Sequence, residues 1–230
     1  MELHRLVFRL DYPNAFTIFS KWGEILSALE SCDTWPELGE DTLSRGIMAS
    51  REDKSKNKVH LLNVRVNDID GVLEGHPIPS YRDFDDGFQR INRVLSLLDV
   101  KEYKRLGVRF FFLEPQASFE SACKLLASQV RTEYWNLFDH APSDIGIVSV
   151  HGDDDQALRL STGPLKRTEY TNWFNAHSAV KPDNAMLFDI DCYTRSYRDS
   201  KFDLRKLVAL YYDKALSEAE RVLQFIQSGS

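Results

Sequence analysis

Leu106-Gly107-Val108-Arg109-Phe110-Phe111-Phe112-Leu113-Glu114-Pro115-Gln116-Ala117-Ser118-Phe119 reads as a strand, an acidic residue, a proline and the start of a helix. From Val108 to Leu113 apolar residues fall on both faces, broken only by Arg109, as in a strand at the centre of a sheet. Pro115 ends the ladder, because proline has no N–H to donate. Ser118 with Glu120 and Ser121 is helix-entry chemistry. An echo sits at the beginning of the chain, in Val7-Phe8-Arg9-Leu10-Asp11-Tyr12-Pro13-Asn14-Ala15-Phe16. Leu10, Asp11 and Phe16 recur as Leu113, Glu114 and Phe119 at an offset of 103 residues, with the proline one step out of phase. The expectation is an internal duplication. Residues 1–102 make a first α+β half and 103–230 a second, assembled as one compact unit.

Around these anchors the periodicities give a β-α-β-β-(β)-α order followed by β-α-β-β-β-α. His4, Leu6, Phe8 and Leu10 alternate with Arg5, Val7 and Arg9, a strand with one covered face. A helix over about 15–30, capped by Asn14, takes Phe16, Phe19, Ile25, Leu26 and Leu29 as its core stripe. Asp33 to Asp41 reads as loop. A hairpin follows with arms at about 43–50 and 57–66 around the polar run Arg51-Glu52-Asp53-Lys54-Ser55-Lys56. Residues 67–80, punctuated by Gly71, Gly75, Pro77 and Pro79, are mainly connection, with room for a short strand near Val72-Leu73. Phe84, Phe88, Ile91, Leu95 and Leu98 mark a helix over about 82–98. The helix opened by Ser118 runs to about Arg131. Strands are expected at 144–151 and 156–161, a helical turn at 166–176, and a strand around Met186-Leu187-Phe188-Asp189-Ile190-Asp191-Cys192. A long last helix begins at Ser200 or Asp203, and Ser217 to Glu220 would cap a second segment if it breaks there. The expected fold class is α+β: a mainly antiparallel sheet with helices packed on one face, in two pseudo-repeated halves.

The 230 residues are enough for a substantial core, and 43% hydrophobic with 28% charged residues is globular rather than disordered composition. A net charge of -6 works against a non-specific nucleic-acid or anionic-membrane binder. Cys32, Cys123 and Cys192 are odd in number and widely separated, so they are expected as buried thiols rather than disulfides or zinc ligands. The N-terminus alternates from the start instead of carrying an apolar signal run, and no stretch approaches a membrane span. A cytoplasmic location is the expectation.

Tyr103-Lys104-Arg105-Leu106-Gly107-Val108-Arg109-Phe110, and Leu187-Phe188-Asp189-Ile190-Asp191 before the long C-terminal helix, resemble a sporadically distributed bacterial family of uncharacterised proteins of similar size. Its members share an Arg-[Leu/Ile]-Gly-[Leu/Val]-Arg-[Tyr/Phe] strand and a late Asp-[Ile/Val]-Asp strand. This chain departs from them at Phe111-Phe112, where the family tends to carry a polar residue. The resemblance implies no established activity. It implies a prokaryotic accessory protein with the scattered distribution of mobile or defence-associated genes.

The residues that could carry chemistry are charged positions within strands. Asp189 and Asp191 share a strand face about 7 Å apart, close enough to share a hard cation, which would need further oxygen ligands. The bland alternative is pairing with Arg195 and with arginines on neighbouring strands. Arg5, Arg9, Arg65 and Arg109 each interrupt a strand. In register they would form either a ladder for a phosphate or carboxylate or an internal lattice against the two aspartates. The candidate ligand-binding set is therefore Arg9, Arg65, Arg109, Asp189 and Asp191. Gly152-Asp153-Asp154-Asp155 beside His151 lacks calcium-loop spacing and reads as a hairpin turn. His4, His60, His76, His140, His151 and His177 form no ligand pair, and no dinucleotide or P-loop motif occurs. Trp135, Phe138, Trp173 and Phe174 read as core rather than a stacking platform. No metal or cofactor is expected, and the sequence identifies no catalytic residue.

These readings favour a non-enzymatic protein-binding or accessory protein, engaging a protein partner or itself. One alternative is a small-ligand or metal-dependent enzyme built on the strand arginines and aspartates. Another is a nucleic-acid-binding saddle, by analogy of element order with TATA-binding proteins, although fold does not carry function and the acidic balance opposes it.

Overall fold

The computed structural model describes residues 1–41, 46–53, 58–75, 78, 80–129, 144–153, 155–175, 181–199 and 202–228. Their strands are β1 Glu2–Asp11, β2 Glu37–Asp41, β3 Gly46–Asp53, β4 Lys58–Val64, β5 Asp68–Glu74, β6 Glu102–Pro115, β7 Ile147–Gly152, β8 Gln156–Lys166 and β9 Asn184–Arg198. They form one antiparallel sheet in the order β2-β3-β4-β5-β1-β6-β9-β8-β7. The stretch from Leu106 to Pro115 is thus central: β6 lies between β1 and β9, buried on both faces at Val108, Phe110, Phe111, Phe112 and Leu113. The helices are α1 Thr17–Ser20, α2 Trp22–Leu29, α3 Asp85–Leu97, α4 Phe119–Ala127 and α5 Leu204–Ser228.

The helices cover one face, and strand parity shows why. Leu6, Phe8 and Leu10 of β1, Leu106, Val108, Phe110 and Phe112 of β6, and Met186, Phe188, Ile190 and Cys192 of β9 all join the same core as Phe88, Ile91, Val208 and Ala215 from the helices. Burying each such side chain contributes about 1.5–3 kcal/mol. Phe8 lies across to Gly71, its partner on β5, where a Cβ would come within 2.2 Å of the ring. The glycine that punctuates this segment is therefore a packing requirement inside a strand. Ser118 caps α4 as expected, exchanging hydrogen bonds with Ser121 in a capping box. The three cysteines are buried, and none is in a disulfide.

Several expectations need correction. Residues 33–41 and 67–80 are not merely connections: they contain β2 and β5. The helix expected over 15–30 breaks at Lys21 into α1 and α2, and its buried stripe is not the expected one. Ile18 and Ile25 face the core, whereas Phe16 and Phe19 are 65% and 49% exposed. His4 does not share the facing of Leu6. A bulge between Leu3 and Arg5 turns Leu3 into the helix-side core and sets the His4 ring against Phe174 on the opposite side. α5 continues unbroken through Ser217.

The echo at offset 103 does not keep its environments. Leu10 faces the helices and Leu113 the opposite face, while Phe16 is exposed and Phe119 buried. The Gly152 turn is a hairpin turn: Gly152 takes φ 125°, and Asp153 Oδ1 accepts from the N–H groups of Asp155 and Gln156 at 2.9 and 2.8 Å. Lys54, Ser55, Lys56, Asp154, Trp135, Phe138, His76, His140, His177 and the helix end at Arg131 lie outside the described residues.

Among the described residues the sheet's second face is covered only in part. A 3₁₀ turn at Arg167–Asn172 leads into Trp173 and Phe174, and Tyr170 and Phe174 pack on Phe111, Leu113, Leu165, Ala185 and Leu187. This strap connects β8 to β9. No described helix is long and apolar enough to cross a membrane.

Candidate functional site

The candidate arginines and aspartates project from the face opposite the helices. Register places Val7, Arg109, Asp191, Arg159 and Val150 in one row across β1, β6, β9, β8 and β7. The next row holds Glu74, Arg5, Phe111, Asp189, Ser161 and Val148. All five candidate residues therefore reach this side of the sheet, spread over several strands rather than converging on a cleft.

Their partners are one another. Arg109 grips Asp189 with both prongs, Nε to Oδ1 at 2.6 Å and Nη2 to Oδ2 at 2.5 Å. Those hydrogen bonds hold the Arg109 guanidinium above its ordinary pKa. Arg105, absent from the candidate set, runs over Gly107 to donate to Asp191 at 2.9 Å while its guanidinium covers the Tyr193 ring at 4.7 Å. Partial burial pushes the Asp191 carboxyl up, against the pull of Arg105, Arg109 and Arg159. Arg195 does not pair with the aspartates as expected; it lies over Tyr193 at 5.5 Å. On the other side of β1, Arg65 donates to Asp70 and, at 3.2 Å, to Asp68; Arg9 donates to Asp11 at 2.7 Å. Phe111 is flanked by two cations, Arg5 at 5.4 Å and Arg109 at 4.9 Å from its ring centre.

Where the strap meets β1 and β5 the lattice becomes a buried cluster. Glu74 and the Lys181 side chain are fully buried, with Lys181 Nζ 3.6 Å from Glu74 Oε1. The Asn175 N–H donates to Glu74 Oε2 at 2.8 Å, and Arg5 donates to the Trp173 carbonyl. Burial lowers the Lys181 pKa, opposed by Glu74. Neither Glu74 nor Lys181 carries a sequence signal: one lies in a segment read as connection, the other beside Pro182.

Two concavities lie near these charged residues. One of about 300 Å³ lies between the β8 face and the strap, lined by residues including Ser161, Gly163, Glu169, Asn172 and Trp173. The other, about 100 Å³, is lined by Arg51, Lys58, His60, Asp33 and Asp83. His60 sits under Phe84 with Nδ1 3.1 Å from the Thr34 carbonyl, so Nδ1 carries the proton, and burial pushes the imidazole pKa down to about 4. Among the described residues no group of three or more His, Cys, Asp or Glu side chains is placed to hold a metal ion. Asp189 and Asp191 each hold an arginine, which a cation would have to displace. No protein-family model, curated protein or solved structure matches the chain.

Proposed function

We propose that this is a non-enzymatic protein-binding or accessory protein whose open sheet face is its presenting surface. The observation that carries the reading is the mutual pairing of arginines and carboxylates on that face. Arg109–Asp189, Arg105–Asp191, Arg65–Asp70 and Arg9–Asp11 consume each other's charge across an exposed plane. Catalysis or tight small-ligand binding uses convergent, sequestered groups; a flat array of half-exposed pairs suits a polar macromolecular contact, in which charge pattern sets specificity. The family resemblance adds a bacterial, defence-associated accessory setting to the proposal. The similar winding of the sheet to either side of β1–β6 supports a duplicated origin, independently of the sequence echo.

A photo-crosslinking amino acid at Arg195 on the open face, with Leu210 on the outer side of α5 as control, tests the reading in the native cells. The expected result is one protein crosslinked from Arg195 and not from Leu210. A metabolite or metal retained stoichiometrically by the purified native chain, with no crosslink, would overturn it.

A second reading has one observation in its favour. The β6–β9–β8 part of the face carries Arg105, Arg109, Arg159 and Arg195 against Asp189 and Asp191, a local excess of positive charge on a sheet backed by helices. Salt-dependent binding of a labelled duplex, weakened by Arg159→Glu, would select a nucleic-acid saddle instead.

A further inference from the structure

The sheet ends in two strands of opposite character. Counted outward from the central β1–β6 pair, one wing runs β5, β4, β3, β2 and the other β9, β8, β7. Both wings are wound alike, from the strand that precedes the last helix back toward earlier strands, and the second stops one strand sooner. β2 closes the longer wing with Glu37-Leu38-Gly39-Glu40-Asp41, three acidic residues in five. Such an edge repels a copy of itself, a common protection against edge pairing.

β7 closes the shorter wing with Ile147-Val148-Ser149-Val150-His151-Gly152. It has three β-branched aliphatic residues, no proline and no carboxylate, lysine or arginine. Its inner edge pairs with β8, and among the described residues no strand pairs with its outer edge. Val148 and Val150 stand on the open face, 57% and 62% exposed. A strand of this composition with a free edge is a template for strand addition.

We propose that β7 is a homotypic pairing edge. Two copies of the chain join β7 to β7 antiparallel, about a two-fold axis at Ser149, so that the sheet continues from one copy into the other. A second copy is the occupant because the strand is complementary to itself and the β2 edge is not. Facing and packing together select the register. A two-fold axis normal to the sheet keeps both helix layers on one side, so only residues of like facing can stand opposite each other. Centred on Ser149, Val148 opposes Val150 of the second copy and Val150 opposes its Val148, joining four exposed valines in one patch. Ile147 opposes His151 on the helix side. Centring on Val150 would instead set Val148 against Gly152 and lose that packing. Pairing β7 to β2 would be head-to-tail and would not close.

One strand pair is a small interface, so the dimer should exchange with monomer as concentration changes. This proposal is independent of what the open face binds, and its test uses the purified chain alone. Sedimentation of the wild type over a hundredfold concentration range should show monomer passing to dimer. Val150→Lys, at an exposed position, should stay monomeric with an unchanged melting curve, whereas Glu40→Lys on β2 should dimerise like wild type. Ser149→Cys should form a covalent dimer under mild oxidation, since directly opposed strand residues lie within disulfide range and the native thiols are buried. Val148→Cys, opposed to Val150, should crosslink far more slowly.

A wild type that stays monomeric throughout would overturn the proposal. So would a dimer unaffected by Val150→Lys, or equal crosslinking of Ser149→Cys and Val148→Cys. Because Ser149→Cys leaves the valines intact, a folding failure of Val150→Lys would not remove the test.

Discussion

On one side of β6, Val108, Phe110 and Phe112 are buried beneath helices; on the other, Arg109 stands half-exposed beside Phe111, gripping Asp189. The same strand thus feeds two surfaces held by different forces. The helix side is non-directional: apolar area leaves water, and any well-shaped side chain of similar volume serves. The open side is directional, built from donors matched to carboxylates on neighbouring strands, and each pair repays part of the desolvation of its partners. Cohesion should therefore reside chiefly in the first and recognition in the second.

Truncating the helix side gives the largest effect. Phe188→Ala removes a fully buried ring from the centre of β9 and should destabilise the fold by about 3–5 kcal/mol in denaturant melts. A loss under about 1 kcal/mol, in the range of an exposed site, would break the contrast. Glu74→Gln comes next, because it leaves Lys181 buried without its counter-charge. About 3 kcal/mol is expected, together with faster amide exchange in Trp173–Asn175; a change in neither would remove the strap's anchor from the account.

A polar residue on the helix side gives a pH effect. The His60 imidazole titrates near 6.5 in the unfolded chain and at about 4 when buried. The unfolded state therefore takes up the proton first. Stability is whole above pH 6.5 and falls as pH drops from there toward 4, by up to about 3 kcal/mol. His60→Asn keeps a donor for the Thr34 carbonyl and should flatten this part of the melting-temperature curve. An equally steep curve in that variant would assign the slope to other groups.

The smallest effect belongs to the open face. A double-mutant cycle on Arg109→Gln and Asp189→Asn should return a coupling of about 1 kcal/mol, since the arginine is 39% exposed and screened by solvent. A coupling of about 3 kcal/mol would mean that the open face also holds the fold together.

What could be read in advance follows the same division. β1, β6 and β9 were legible because long runs alternate or stay apolar, and the capping serines of α4 marked their helix. β2 was illegible: Glu37-Leu38-Gly39-Glu40-Asp41 has the composition of a loop and becomes a strand through pairing with β3. β5 was obscured by Gly71, whose missing side chain is what Phe8 requires. On the open face, the shared facing of Asp189 and Asp191 was legible from spacing alone. Their partners were not, because register between distant strands decides that Asp191 meets Arg105 rather than Arg195. Phe16 and Phe19 mislead by their hydrophobicity: helical spacing back from Ile25 and Leu29 reaches Ile18, not either phenylalanine.

The strap has a consequence for how the polypeptide could be divided. It belongs to the later half of the chain, yet its anchor points are Arg5 and Glu74 in the earlier half, so severing the backbone near residue 102 would not release two self-sufficient pieces. The earlier piece would present a carboxylate stripped of its ammonium, and the later one an ammonium stripped of its carboxylate. Each becomes the other's missing ingredient, and co-expression of the two pieces should restore what neither attains by itself.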